Sequence, residues 1–231
     1  MNRATMRRRP RVPWGFVALA TLLVAVSALG CHPASAAADG ADAADGGAAP
    51  LRAGDIVFQT STSKQSAAIQ HATHSPFTHV GMIVHADGKL AVFEAEGTVH
   101  TTPLEAWIAR APASFVARRL KDAASLLTTA GQAKLVTEGR KHMGKPYDAA
   151  FDWSDEKMYC SELVWKSYHE ALGIDLGAPR PLRSFDLTSA GVHAALVQRY
   201  GKSIPLDAPM ISPQQIFESD LLETVRDDRK N

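Results

Sequence analysis

The chain has 231 residues, of which 45% are hydrophobic and 21% charged, with a formal net charge of +1 and two cysteines. These values are typical of one globular domain with additional segments, and they exclude a disulfide-rich scaffold, a long coiled coil and collagen. Five of the 25 basic residues lie in residues 1–36, where no acidic residue occurs; the other 20, set against 24 acidic residues, give the rest of the chain a charge of about −4. Such a body lacks the clustered basic surface that binds phosphate backbones, so we expect no nucleic-acid partner.

The amino terminus has the pattern of a signal peptide, which we assign to residues 1–36. Residues 1–13 are positively charged, and the apolar stretch 14–29 is shorter than the ~20 residues of a membrane-spanning helix. Two processing sites compete. Cys31 follows a sequence similar to a bacterial lipobox, and Ala34-Ser35-Ala36 fits the ordinary signal peptidase. We expect export to the periplasm or cell envelope, with membrane contact only through a lipid anchor on Cys31 if that site is used.

A flexible linker and a single folded domain are predicted to follow. Residues 37–50 hold only alanine, aspartate, glycine and proline, a composition that cannot form a core. The domain therefore spans residues 51–231 and contains one cysteine, Cys160, so it has no internal disulfide. A lone thiol in an exported protein is either buried as a small apolar side chain or used chemically.

Secondary-structure patterns in the domain predict clustered strands with flanking helices. Going along the chain, we predict strands over 56–58, 79–85, 90–96, 115–120 and 221–225, with a hairpin turn at Asp87-Gly88. We predict helices over 65–73, from about 102 to 110, and over 125–142, 160–172, 188–200 and 213–219. Because strands and helices do not alternate regularly, the fold class is α+β rather than a doubly wound parallel sheet.

Cys160 stands at the predicted start of a helix, where free N–H groups and the helix dipole favour a thiolate. A nucleophilic cysteine also needs an imidazole that takes its proton. Among the domain's histidines, His79 is distinctive because it begins a strand directly after a loop, where a rigid scaffold exposes a side chain. His79 and Cys160 are therefore the candidate pair.

A catalytic histidine needs an acceptor for its second ring nitrogen. Hairpin pairing about Asp87-Gly88 places His79 opposite Glu96 and diagonal to Glu94, with both carboxylates on one face of their strand. We favour Glu94, because an inward carboxylate between Phe93 and Ala95 needs a partner, whereas Glu96 lies nearer the strand end and faces water.

Four segments in this order resemble the YiiX/YebB-like branch of the permuted NlpC-type papain-like cysteine hydrolases. They are Gly54-Asp55-Ile56-Val57-Phe58-Gln59, Thr78-His79-Val80-Gly81-Met82, Phe93-Glu94-Ala95 and Tyr159-Cys160-Ser161-Glu162-Leu163-Val164. The resemblance implies a circularly permuted papain-like fold, in which a small antiparallel sheet or barrel packs against helices.

The same resemblance implies roles for individual residues. Cys160 would be the nucleophile, His79 the general base and then acid, and Glu94 the orienting residue. Tyr159 would border the site, and the Cys160 backbone N–H would contribute to an oxyanion hole. Gln59 and Gln65 also match family positions, where they line the substrate groove or cap the first helix. No metal and no organic cofactor are implied.

The leading functional hypothesis is a cell-envelope hydrolase that cleaves amide bonds, in peptidoglycan stem peptides or related amino-acyl amides, through a thioester on Cys160. The alternative is a lipid-directed thioesterase or acyltransferase resembling the lecithin retinol acyltransferase group. Its third residue is usually a second histidine, for which His85 is the nearest candidate. A second alternative is a noncatalytic cell-wall binding module. A metal site on Cys160 is weak, because no C-x-x-C or H-x-x-x-H spacing accompanies it.

Overall fold

The computed structural model describes residues 49–63 and 65–229, and the predicted signal peptide, Cys31 and most of the linker lie outside the described residues. Its elements in chain order are β1 (Ile56–Gln59), α1 (Ser66–Thr73), β2 (His79–Ala86), β3 (Lys89–Glu96), β4 (Thr98–Pro103), α2 (Leu104–Arg110), β5 (Val116–Leu120), α3 (Ala123–Leu126), α4 (Thr129–Arg140), α5 (Cys160–Leu172), β6 (Arg180–Pro181), α6 (Ala190–Tyr200), β7 (Pro209–Met210), α7 (Pro213–Phe217) and β8 (Leu222–Asp227). Within the described ranges, no helix is long and apolar enough to span a bilayer.

Six strands form one antiparallel sheet in the order β4-β3-β2-β1-β5-β8. Its central hairpin turns at Asp87 (φ 50°) and Gly88 (φ 75°), and the positive φ at both positions is what a tight two-residue hairpin turn requires. The turn sets the register in which Met82 faces Phe93, as predicted. Because the sheet ends at β4 and β8, it is open rather than a barrel, and the α+β class is confirmed.

The sheet separates two apolar layers because successive side chains of a strand point to opposite faces. On one face Phe58, Met82 and Phe93 join the large core beneath α4 and α5, whose own contributions include Leu135 and Leu163. On the other face a smaller cluster packs against α2; its buried members are Val57, Ile83, Val92, Trp107, Phe115 and Ala117. A third cluster between α6 and α1 contains Leu182, Val192 and Leu196. This last cluster forms one wall of the site described below.

The elements differ from the predictions in three places. The helix predicted from about residue 102 begins at Leu104, because the backbone of Thr98–Pro103 completes the ladder of β3 as strand β4. The helix predicted over 125–142 is divided into α3 and α4, since Thr128 accepts the Gly131 N–H and begins a new helix. The short β6–β7 ribbon was not predicted, because two-residue strands leave no periodic pattern.

A buried ion pair ties the start of β1 to β5, and we expect its loss to destabilise the fold. Asp55 is fully buried and accepts two hydrogen bonds from Arg119, at 2.6 and 2.8 Å. Asp55→Ala leaves the Arg119 guanidinium buried without its partner, which should lower the free energy of unfolding by about 3–5 kcal/mol. Urea denaturation measures the change. Asp207→Ala, which removes the exposed partner of Arg183, is the matched control and should change little. Equal losses in the two variants would contradict the assignment.

Candidate active site

Cys160 is the first residue of α5 and is buried, with 4% of its surface exposed. Tyr159 before it is extended (φ −100°, ψ 164°), so the helix begins at the cysteine. The Glu162 side chain accepts the Tyr159 N–H at 3.4 Å and supports the first turn. Since first-turn N–H groups have no acceptor within a helix, Cys160 lies where the backbone favours a thiolate or an oxyanion.

A second buried ion pair, between Glu162 and Lys166, stabilises the first turn of α5. Glu162 is fully buried, and burial raises its pKa to about 7 although Lys166 lies 2.9 Å away. Lys166 also contacts Asp155 at 2.8 Å, which links α5 to the loop before it. The start of α5 is therefore held by charges as well as by its apolar face.

His79 is the first residue of β2, and its imidazole lies between Cys160 and Glu94. Its Nε2 is 2.6 Å from Glu94 Oε2, and the Cys160 side chain lies close enough to the ring to act on the pKa of His79. His79 is 6% exposed and Glu94 is fully buried. The structure thus brings together the three predicted side chains, from strands β2 and β3 and from helix α5, in the order thiol, imidazole, carboxylate.

The Glu94 carboxylate is held by three further donors. Thr102 Oγ1 donates to Oε1 at 2.5 Å, and Trp107 Nε1 donates to Oε2 at 2.8 Å. Arg110 approaches both oxygens, with Nη2 3.0 Å from Oε1 and Nη1 3.1 Å from Oε2. The Trp107 ring also lies nearly parallel to the His79 ring, with centroids 6.0 Å apart. Helix α2 and strand β4 therefore fix both the carboxylate and the imidazole.

These contacts set the ionisation of the pair. Burial lowers the pKa of His79, but hydrogen bonds and charges from Cys160 and Glu94 outweigh burial and raise it to about 10. Burial raises the pKa of Glu94, but His79, Thr102 and Arg110 outweigh it and lower it from 4.5 to about 2. His79 is therefore cationic and Glu94 anionic at neutral pH, an arrangement that stabilises a thiolate at Cys160.

The other residues predicted for the site are Tyr159, Gln59, Gln65 and His85, and each has its own environment. Tyr159 is buried, and its hydroxyl accepts the Ile211 N–H at 3.2 Å. Gln59 pairs with His79 across β1 and β2, is 2% exposed, and its Oε1 has no hydrogen-bond partner among the described residues. Gln65 precedes α1 without capping it through its side chain, and it lines the clefts beside the site. His85, the alternative third residue, is exposed near the hairpin turn and is not paired with Glu94.

Two clefts meet at this site. The larger encloses about 750 Å³ of open space and reaches Cys160 between α1 and α6. Its walls are mostly apolar and include Ile69, Phe185, Leu187, Val192 and Leu196. The smaller cleft, beside His79, has a more polar lining that includes Ser61, Ser63 and Glu96. Both clefts are lined by Gln65, Ile69, Thr78 and Tyr147, so the two spaces adjoin.

Sequence reasoning missed Thr102, Trp107, Arg110 and Arg199, all of which contact or line the site. One signal was present for two of them: Arg110 follows Trp107 by three positions, so both lie on one face of the predicted helix. No local signal marked Arg199, because its place depends on the docking of α6 against α1.

Comparison with known proteins places the chain among permuted papain-like hydrolases. A family model described as permuted papain-like amidase enzyme, YaeF/YiiX, C92 family, matches residues 50–226. The chain belongs to this family and is a cysteine hydrolase of the permuted papain-like fold.

Two relatives from Escherichia coli support this membership. The uncharacterized protein YiiX of strain K12 is 47% identical over 173 residues, covering 74% of this chain and 84% of the relative. The crystal structure of metalloprotein yiiX from strain O157:H7 is 46% identical, with a TM-score of 0.74, and covers 78% of this chain and 98% of that one. The resemblance to the YiiX-like family is confirmed.

Proposed function

We propose that Cys160, His79 and Glu94 form a catalytic triad that hydrolyses amides with an apolar acyl group. The observation that carries the proposal is the His79 ring between Cys160 and a fully buried Glu94, beside a cleft with mostly apolar walls. Family membership supports amide hydrolysis in general, and the cleft supports the choice of acyl group.

The proposed cycle begins with a Cys160 thiolate and a His79 imidazolium. The Cys160 thiolate attacks the amide carbonyl, and first-turn N–H groups of α5, including that of Cys160, stabilise the oxyanion. The His79 imidazolium gives its proton to the leaving amine, which leaves a thioester on Cys160. Neutral His79 then takes a proton from water as the water attacks the thioester; the carboxylic acid leaves, and the Cys160 thiolate and the His79 imidazolium are restored. Glu94 fixes the imidazole and stabilises its cationic form.

The polarity of the cleft walls favours some candidate substrates over others. An acyl chain in the apolar cleft places the leaving amine toward the more polar cleft beside His79, the residue that protonates it. Peptidoglycan stem peptides are polar and charged and fit these walls less well than fatty acyl amides of amino acids do. The same walls favour lipid esters and thioesters as a second candidate class. Action in the cell envelope, after removal of residues 1–36 or lipidation of Cys31, remains part of the proposal.

One relative's description as a metalloprotein raises the question of a metal ion here. In the described part of the chain, His79, Glu94 and Glu96 form a group whose possible ligand atoms all lie within 4.8 Å of one another. Arg110 already lies between the two carboxylates, 2.6 Å from Glu96 and 3.0 Å from Glu94. A guanidinium in that position opposes a second cation, so these residues do not fit a metal ion and we derive no step through one.

A substrate panel tests the proposal. The purified domain is incubated with N-dodecanoyl amino acids, a dodecanoyl ester, a dodecanoyl thioester and muropeptides, and products and protein adducts are identified by mass. We expect turnover of dodecanoyl amides and, on rapid quenching, a dodecanoyl adduct on Cys160. Turnover of muropeptides alone would contradict the assignment of an apolar acyl group to the substrate. Turnover of the ester and thioester without the amides would favour lipid esters and thioesters, the second candidate class.

A further inference from the structure

We propose that Arg199 binds an anionic oxygen group of the substrate, a carboxylate or a phosphate, so that the enzyme selects anionic amphiphiles. This inference deepens the proposed function, on which it rests for the position of the acyl chain. It assigns to Arg199 a specificity role that the cysteine hydrolase chemistry does not require.

Arg199 is the charged exception in an otherwise uncharged cleft. Among the described residues that line the larger cleft, every other side chain is apolar, aromatic, hydroxyl-bearing, an amide or the Cys160 thiol. A cation on apolar walls is costly unless it is paired or hydrated. Across residues 49–63 and 65–229, no carboxylate lies within ion-pair distance of Arg199. The partly exposed Arg199 side chain therefore lines the cleft without a carboxylate partner among these residues.

The guanidinium is nevertheless held in place. Its Cζ lies 4.0 Å from the centroid of the Phe151 ring, and Nη2 donates to Gln65 Oε1 at 3.0 Å. Stacking on one face and one hydrogen bond at an edge leave other N–H donors available to a ligand. A planar guanidinium fixed in this way matches the two oxygens of a carboxylate or the oxygens of a phosphate.

Arg199 also lies close to where the two clefts meet. Its partner Gln65 lines both clefts, and so does Tyr147, whose ring centroid is 6.4 Å from that of Phe151. Burial raises the pKa of Tyr147 well above its usual value; Cys160 raises it further and Arg199 opposes the rise. The Phe151 ring against which Arg199 stacks is 5.1 Å from the ring of Tyr159, the residue before Cys160, so an anion on Arg199 would lie on the Cys160 side of the cleft. N-acyl amino acids, with a carboxylate beside the amide, and N-acyl phosphoethanolamines both have an anion near the amide.

Two matched ligand pairs test the inference and separate the two sources of the anion. One pair is N-dodecanoyl glycine and N-dodecanoyl glycinamide; the other is N-dodecanoyl phosphoethanolamine and N-dodecanoyl ethanolamine. Dissociation constants are measured with Cys160→Ala, which needs no turnover, and kcat/KM with the active enzyme. We expect the anionic member of at least one pair to be preferred by about tenfold to a hundredfold, as for a charge-assisted hydrogen bond.

Arg199→Gln should reduce that preference to near unity, whereas Arg199→Lys should retain part of it. Arg140→Gln, on an exposed position of α4 outside the cleft, is the control for net charge and should keep the wild-type ratio. An unchanged ratio in Arg199→Gln, or no preference in the parent for either pair, overturns the anion site. Preferential binding without any Cys160-dependent turnover would instead defeat the proposed function and leave the anion site supported.

Discussion

Cys160→Ala should lower kcat/KM for the best acyl amide by about 10⁴-fold or more, because no other group in the site can form the acyl intermediate. The variant should still fold, since the cysteine contributes one small side chain to the large core. Product formation under enzyme excess measures the residual rate, and intact-protein mass spectrometry checks that the adduct is lost.

Cys160→Ser is the matched control for this prediction. It keeps the size and the position of the side chain at the start of α5 but replaces the thiol with a hydroxyl, which is a much weaker nucleophile without a strong base. We expect a loss close to that of alanine, with an ester adduct accumulating slowly if water attack is slower than acylation. Turnover that survives in both variants would defeat the thiol mechanism.

Glu94→Gln should lower kcat/KM by about 10²- to 10⁴-fold, through loss of the charge that orients and stabilises protonated His79. The pH dependence should change as well. Glu94 raises the pKa of His79, so removing its charge lowers that pKa. The imidazolium is lost as the pH rises through the pKa of His79, so the alkaline fall in rate, expected near pH 10 in the parent, should move to lower pH. A rate profile from pH 6 to 11 measures the shift.

Glu96→Gln provides the comparison. Glu96 stands on the same strand and also contacts Arg110, but half of its side chain is exposed and it does not bond to His79. We expect a much smaller loss and little movement of the alkaline limb. If the two variants lost kcat/KM equally, the total negative charge around Arg110 would matter more for the rate than the Glu94–His79 contact.

Several features of the site could be predicted because they are local. A helix that begins at Cys160 follows from the apolar spacing of 160–172, and the structure ends this helix at Gly173 in the left-handed conformation. The turn at Asp87-Gly88 fixes the hairpin register, and the register places Glu94 diagonal to His79. Position along the strand also separated the buried Glu94 from the exposed Glu96: the two share one face, but Glu96 is the last residue of β3.

Other features could not be predicted, because they depend on how distant segments pack. The sequence predicted a helix up to residue 110 but not that Trp107 and Arg110 would bind Glu94, since that depends on how α2 crosses the sheet. Likewise, Gln65 and Arg199 are separated by 134 positions, and no motif links them.

By itself, then, the sequence determined the α+β class, the central hairpin and the helical start at the thiol, because periodicity, turn residues and helix caps act over a few residues. Only the tertiary structure decided that the Arg110 guanidinium binds the buried Glu94 carboxylate alongside His79. It also decided that an apolar cleft lined by the cation Arg199 reaches Cys160. The reason is physical: burial and charge compensation arise between surfaces that meet only when the chain is folded, and neither leaves a pattern along it.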